Sequence, residues 1–151
     1  MKQFTLKLQK RTQRPVAKLD TFYGIDAMLD TGAVFPVWVR DESLLTDLGG
    51  RLVLNHAKFG GFGGLSVGKV YKLPLVQIGD LLFPDMDIIA YKMAMPCSMI
   101  ISATMFQNLI YEVDDFNHRL NVTIPDGQSN VRNLTIMDDN GRLHVLCHSA
   151  P

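Results

Sequence analysis

The sequence contains few cysteines and has no excess of either charge, and each scarcity excludes a class of protein. Cys97 and Cys147 are the 2 cysteines among 151 residues, which excludes a disulfide framework and a four-thiolate zinc site. The 15 basic residues balance the 15 acidic ones, so no net charge attracts the chain to nucleic acid or to an anionic membrane. We therefore expect reduced thiols, no metal or cofactor, and neither nucleic acid nor a membrane as a partner.

A long apolar run is also missing. No segment approaches the roughly 18 consecutive apolar residues that a membrane-spanning helix requires. Residues 1–8 alternate apolar and polar side chains, whereas a signal peptide needs a continuous apolar stretch. The sequence thus predicts a soluble, cytoplasmic protein. Its 47% hydrophobic and 20% charged residues are typical of one globular domain, residues 1–151.

Short apolar segments separated by turn residues are what the chain contains instead. Strands are predicted at residues 4–8, 23–29, 34–39, 51–55, 70–78, 81–90, 110–113, 120–124, 134–137 and 143–147. Gly79-Asp80 and Asn140-Gly141 predict hairpin turns. Residues 41–50 predict a short capped helix, and residues 99–109 a strand that passes into a second short helix. The predicted fold class is all-β with one or two short helices.

Asp30 is a candidate catalytic residue because of its apolar surroundings. Asp30-Thr31-Gly32-Ala33 ends an apolar strand and precedes further apolar residues, so we expect the carboxylate to lie in a largely dry place. A single carboxylate there takes up a proton or finds a cation. Two facing carboxylates share one proton instead, because like charges about 3 Å apart cannot both ionise; aspartic proteases are the standard example. One is then a base toward water and the other an acid toward a peptide carbonyl.

The second carboxylate has to come from another chain. The sequence contains a single Asp-Thr-Gly tripeptide, and no convincing catalytic triad accompanies it. A symmetric pair of chains would place two Asp30 side chains across its two-fold axis. The predicted partner is therefore a second copy of this chain.

A glycine-rich segment follows at residues 59–65, Phe-Gly-Gly-Phe-Gly-Gly-Leu. Its composition predicts that it does not lie inside a regular element. A phosphate-binding loop is excluded because no Lys-Ser/Thr follows and no βαβ unit surrounds the segment. The segment could be a flexible loop anchored by Phe59 and Phe62, but two exposed aromatic residues on a mobile loop favour contact with a ligand, so we expect a lid.

Three features in this order resemble the retropepsins, the retroviral-type aspartic proteases. They are Asp30-Thr31-Gly32-Ala33, the segment 59–65, which is similar to the flap tip of that family, and residues 99–106, which are similar to the segment supporting the active-site loop. The resemblance spans about residues 23–113. It implies a closed acid-protease-like β-barrel protomer with a flap hairpin, and residues 114–151 would then be a C-terminal hairpin extension.

The resemblance also implies roles for single residues. Asp30 would be the catalytic aspartate, Thr31 would hydrogen-bond across the dimer axis, and the Gly32 backbone would contact extended substrate. The implied substrate-binding residues are Ala33, Phe59, Gly60, Gly61, Phe62 and Gly63. The implied activity is that of a homodimeric aspartic endopeptidase. The alternative is a catalytically weak or inactive module for dimerisation or peptide binding, because Ser102 stands where the family usually has glycine.

Two other groups of residues, a set of histidines with a cysteine and a set of methionines, each have a simpler interpretation. His144, Cys147 and His148 suggest a metal site, but no fourth ligand is evident, so we expect none. Met93, Met95, Met99 and Met105 are suited to an adaptable binding surface. We expect these methionines to fill the core instead.

Overall fold

The computed structural model describes residues 1–10, 13–61, 64–138 and 140–150. Its helices are α1 (Glu42–Asp47) and one 3-10 helix (Ala103–Phe106). Its strands are β1 (Lys2–Lys7), β2 (Val16–Leu19), β3 (Ile25–Asp30), β4 (Val37–Trp38), β5 (Arg51–Gly61), β6 (Gly64–Ile78), β7 (Leu81–Ala90), β8 (Met99–Ser102), β9 (Ile110–Asp114), β10 (Arg119–Ile124), β11 (Arg132–Met137) and β12 (Leu143–Ser149). The predicted all-β class with short helices is confirmed.

In the largest sheet the strand that ends at Asp30, β3, lies between β2 and β8. The 7 strands of this sheet run in the order β2-β3-β8-β4-β7-β6-β5, and β3 pairs with β8 in parallel. Residues 27–29 and 99–102 are buried without alternation, as expected for strands covered on both faces. The order leaves β2 and β5 as edges, so the closed barrel is not confirmed.

Several predicted boundaries differ from those of the structure. Strand β2 was not predicted, because its polar approach and short length obscured three buried residues in four. The strand predicted at 34–39 shrinks to Val37–Trp38. The prediction that the glycine-rich segment lies outside regular structure was wrong for Gly60, Gly61 and Gly64, which end β5 and begin β6. These glycines lie at the free end of a hairpin, where weak strand propensity is tolerated.

The two chain ends pack through separate sheets. Strand β10 lies between β1 and β9, with Lys2 opposite Ile124. Strands β11 and β12 form a hairpin around the turn at Gly141, whose φ is +75°. Asp87 on β7, only 3% exposed, accepts a hydrogen bond from the Ile136 amide at 3.1 Å and pairs with Lys72 at 2.8 Å. This buried carboxylate fixes the C-terminal hairpin to the large sheet.

Helix α1 is joined to β6 by a polar contact. Asp41 caps the helix by accepting from the Ser43 amide. Tyr71 donates to Glu42 at 2.7 Å, and this hydrogen bond raises the pKa of Tyr71 to about 12 and lowers the pKa of Glu42.

No helix among the described residues is long and apolar enough to cross a membrane.

Candidate active site

Asp30 is the last residue of β3, and its side chain is 16% exposed. The three preceding residues of β3 are buried, and the Cα of Asp30 lies opposite that of Ser102 in the parallel register. The strand therefore ends with its carboxylate at the boundary between the core and an open cavity. This agrees with the predicted placement at the end of an apolar strand.

The loop after Asp30 turns back on the carboxylate. The Gly32 amide donates to Asp30 Oδ1 at 3.0 Å, and the Ala33 amide donates to the Asp30 carbonyl at 3.1 Å. A Cβ on Gly32 would lie 3.4 Å from Oδ1, at ordinary contact distance. The fold of a single chain therefore does not require glycine at this position.

Ser102 supports this loop from below. It is fully buried, and its hydroxyl lies 2.6 Å from that of Thr104, which in turn donates to the Val34 carbonyl at 2.8 Å. Because Thr104 uses its one hydroxyl proton on Val34, Ser102 is the donor to Thr104. The serine at the position where glycine was expected is thus accommodated by a hydrogen-bonded chain that ends on the Asp30 loop.

Arg14 supplies the cation that Asp30 needs in a single chain. Its Nη1 lies 2.6 Å from Asp30 Oδ2, and its own side chain is 57% exposed. Of the two outcomes expected for a lone carboxylate in apolar surroundings, the structure shows pairing with a cation. Sequence reasoning did not identify this residue, because no local pattern connects Arg14 to a strand that ends at residue 30.

Asp30 opens into a cavity of about 450 Å³. Its polar side chains come from Arg14 and Asp30, and the rest of its described wall is apolar or glycine. The described lining residues are Arg14, Asp30, Gly32, Ala33, Val34, Phe35, Val37, Phe59, Gly60, Met93 and Met95. A carboxylate surrounded in this way suits the binding of apolar side chains next to a reacting group.

The β5–β6 hairpin lies on one side of this cavity, which Phe59 and Gly60 line. Phe59 is 3% exposed, and its ring meets that of Tyr91 edge-on with centroids 5.4 Å apart. The expectation of an exposed Phe59 was therefore wrong, although the residue does line the cavity. Gly60 lies beside it, paired with Leu65, which is 82% exposed.

The structure brings together some of the predicted site residues but not all of them. Asp30, Gly32, Ala33, Phe59 and Gly60 line one cavity. Its described lining does not include Thr31, which is exposed on the loop, or Gly61 at the end of β5. The predicted substrate-binding residues Phe62 and Gly63 lie outside the described residues.

The methionines divide into two pairs. Met93 and Met95 are half-buried against the smaller core cluster, as expected in part, and they also line the cavity. Met99 and Met105 are fully buried in the core, as predicted. Burial alternates along residues 91–96, where Lys92, Ala94 and Pro96 are exposed. The six residues alone do not reveal that the face carrying Met93 and Met95 meets a cavity.

Neither the thiols nor the suggested metal ligands are among the described lining residues of the Asp30 cavity. Cys97 and Cys147 are free and buried, and burial raises the pKa of both thiols. Cys147 faces the core, whereas His144 and His148 are exposed on the other side of β12. In the part of the chain that the structure describes, no group of three or more His, Cys, Asp or Glu side chains is arranged to bind a metal.

Comparison with known proteins supports the fold. No protein-family model and no curated protein matches this chain. Among solved structures, the chain is similar to the crystal structure of a retropepsin-like aspartic protease from Rickettsia conorii, with a TM-score of 0.52 and 15% sequence identity. The similarity covers 80% of this chain and 89% of that chain. At this identity it shows a retropepsin-like fold and no more.

The hydrogen-bonded chain beneath the loop is open to a direct test. Replacing Ser102 with Ala removes one buried hydrogen bond and should lower the free energy of unfolding by about 1 kcal/mol. Replacing Thr104 with Val leaves the buried Ser102 hydroxyl without an acceptor and should cost more, roughly 1–3 kcal/mol. Thr5→Val, at an exposed hydroxyl bonded to Asn121, is the control. Urea denaturation measures the free energy of unfolding of all three variants. Equal losses for Thr104→Val and Thr5→Val would contradict a supporting role for the Ser102–Thr104–Val34 hydrogen bonds.

Proposed function

We propose that this chain is one protomer of a homodimeric aspartic endopeptidase that hydrolyses extended peptide segments. The observation that carries the proposal is the position of Asp30, at the end of a buried strand, in an apolar cavity that the β5–β6 hairpin lines on one side. This hairpin would act as the flap and is called the flap hairpin below. A retropepsin-like fold is consistent with it. Each copy would contribute one Asp30 carboxylate to a shared site.

The chemistry follows from two carboxyl groups that hold one proton. The ionised Asp30 takes a proton from water while the water oxygen bonds to the peptide carbonyl carbon. The protonated Asp30 of the other copy gives its proton to the carbonyl oxygen, which leaves a tetrahedral diol. Collapse of the diol breaks the C–N bond: the proton held by the first Asp30 passes to the departing amine, and one diol hydroxyl returns its proton to the second Asp30 as the carboxylic acid forms. Protons balance over the cycle without a metal or a covalent intermediate.

The surface around Asp30 supports pairing with a second copy. Thr31 and Gly32 are exposed on the loop that carries the site, and the apolar Val34 is 57% exposed on the same loop. A second copy that faced this loop would cover Val34 and bring the two Asp30 groups together. Thr31 would then lie at the junction, where its hydroxyl is available to bond across the axis.

The absence of a side chain at Gly60 supports the proposal that a peptide binds next to this residue. A Cβ on Gly60 would meet nothing within 4 Å, and the residue lines the cavity. The packing of a single chain therefore gives no reason for glycine there. Close approach of a peptide backbone to the flap hairpin does give one, because a ligand strand next to residue 60 would collide with a side chain.

A peptide-binding module without catalysis is the second candidate function. Arg14 pairs with Asp30, and a carboxylate that keeps this partner is not free to face the Asp30 of a second copy. Digestion of a peptide library from acidic to neutral pH, with and without a pepstatin-type inhibitor, separates the two functions by mass spectrometry. A protease gives inhibitor-sensitive products, whereas a binding module retains peptides and gives none.

Replacing Asp30 with Asn should abolish cleavage while the chains still pair, because the amide cannot serve as the base toward water. Asp26→Asn makes the same chemical change on the same strand, outside the cavity lining, and should cleave normally. Peptide cleavage and sedimentation measure both properties. Cleavage retained by pure Asp30→Asn protein would reject the mechanism.

Replacing Gly60 with Ala should leave the free energy of unfolding unchanged but lower kcat/KM about tenfold, because the added methyl group obstructs only a bound peptide. Gly68→Ala provides the contrast, since its Cβ would come within 2.8 Å of the Ala90 carbonyl and should destabilise the fold itself. Full activity in Gly60→Ala would show that no peptide passes close to this residue.

A further inference from the structure

Arg14 stands between two cavities. It lines the cavity that contains Asp30, and it also lines a second cavity of about 220 Å³. Its guanidinium pairs with Asp30 although more than half of its side chain is exposed. A long, flexible and largely solvated side chain in this position can turn from one cavity to the other without displacing the core.

The second cavity offers a different carboxylate. Asp115 lines it together with His118, both from the turn between β9 and β10. The turn is fixed to the rest of the chain, because the Leu8 amide donates to the His118 carbonyl at 2.8 Å. Asp115 is exposed, and no described residue forms an ion pair with it.

The pairing seen in a single chain conflicts with the chemistry proposed for two. Asp30 Oδ2 is occupied by the Arg14 guanidinium, and Oδ1 by the Gly32 amide. A carboxylate oxygen held by Arg14 at 2.6 Å cannot also lie against the carboxyl group of a second copy, but the proposed chemistry requires the two Asp30 groups to share one proton. A free carboxylate in this apolar cavity would, conversely, be costly in a chain that has no partner.

We propose that Arg14 regulates the site by exchanging one carboxylate for the other. In an unpaired chain Arg14 neutralises Asp30; when two copies meet, Arg14 turns to Asp115 and leaves Asp30 to share a proton with its counterpart. The ion pair with Asp30 thus stabilises the separate protomer, and the ion pair with Asp115 stabilises the dimer. This inference rests on the proposed pairing of two chains through Asp30.

A double-mutant cycle on dimerisation tests the exchange. Arg14→Gln removes both the pair with Asp30, which stabilises the separate chains, and the pair with Asp115, which stabilises the dimer. Because Asp30 is 16% exposed and Asp115 lies at the exposed surface, the first pair is the stronger, and the net effect should be a dimer about tenfold tighter. Asp115→Asn should weaken the dimer severalfold when Arg14 is present and have no effect in the Arg14→Gln background. Sedimentation equilibrium at one fixed pH gives the dissociation constants of all four proteins.

Two matched controls isolate the specific effect from net charge. Arg142→Gln removes an exposed arginine on the β11–β12 turn, and Glu112→Gln removes an exposed acid on β9 next to the Asp115 turn. Neither residue lines the two cavities. Both variants should dimerise as the unmodified chain does.

Cleavage measured at dimer-saturating concentration separates this inference from the proposed function. If no protein of the set cleaves any peptide but the cycle shows the expected coupling, the role of Arg14 stands and the protease function fails. If the unmodified chain cleaves peptides while Arg14→Gln weakens the dimer, or Asp115→Asn acts equally in both backgrounds, the exchange is wrong and the protease function stands. A chain that stays monomeric at every concentration overturns both.

Discussion

The Asp30 carboxylate needs a partner for its charge, and the rest of the site is arranged around that need. Strand β3 ends in the core, so its last side chain enters an apolar cavity with 16% exposure. In one chain Arg14 and the Gly32 amide satisfy the two oxygens. In the proposed dimer a second carboxylate and one proton replace the arginine. Under this proposal the same group would be part of a structural ion pair in one state and a catalytic acid in the other.

Some glycines are required by packing within the chain, whereas others are not. A Cβ on Gly79 would come within 2.3 Å of the Phe4 ring, and one on Gly68 within 2.8 Å of the Ala90 carbonyl. Packing within the chain explains both. Gly32 and Gly60 meet no such obstacle, yet both line the cavity. Packing within the protomer therefore does not explain their lack of a side chain, whereas the proposed binding of a peptide backbone would.

Local patterns predicted the elements near Asp30, but not the contacts that complete the site. An apolar run ending in Asp-Thr-Gly was enough to place Asp30 at a strand end, and Asp41 with Gly49 was enough for helix α1. Arg14 was missed because its contact with Asp30 depends on how the loop before β2 crosses the end of β3. Phe59 was misjudged because glycines around it suggested exposure, whereas its ring packs on Tyr91, which is distant in sequence.

The fold is retropepsin-like, but a fold at this level of identity does not carry an activity with it. The central claim is that two copies meet at Asp30. A crystal structure of the assembled chain with a pepstatin-type inhibitor tests it most directly, through the distance between the two Asp30 carboxyl groups. We expect oxygen atoms about 3 Å apart across a two-fold axis. A monomer in the crystal and in solution, or a dimer with the two carboxyl groups on separate outer faces, would contradict the claim.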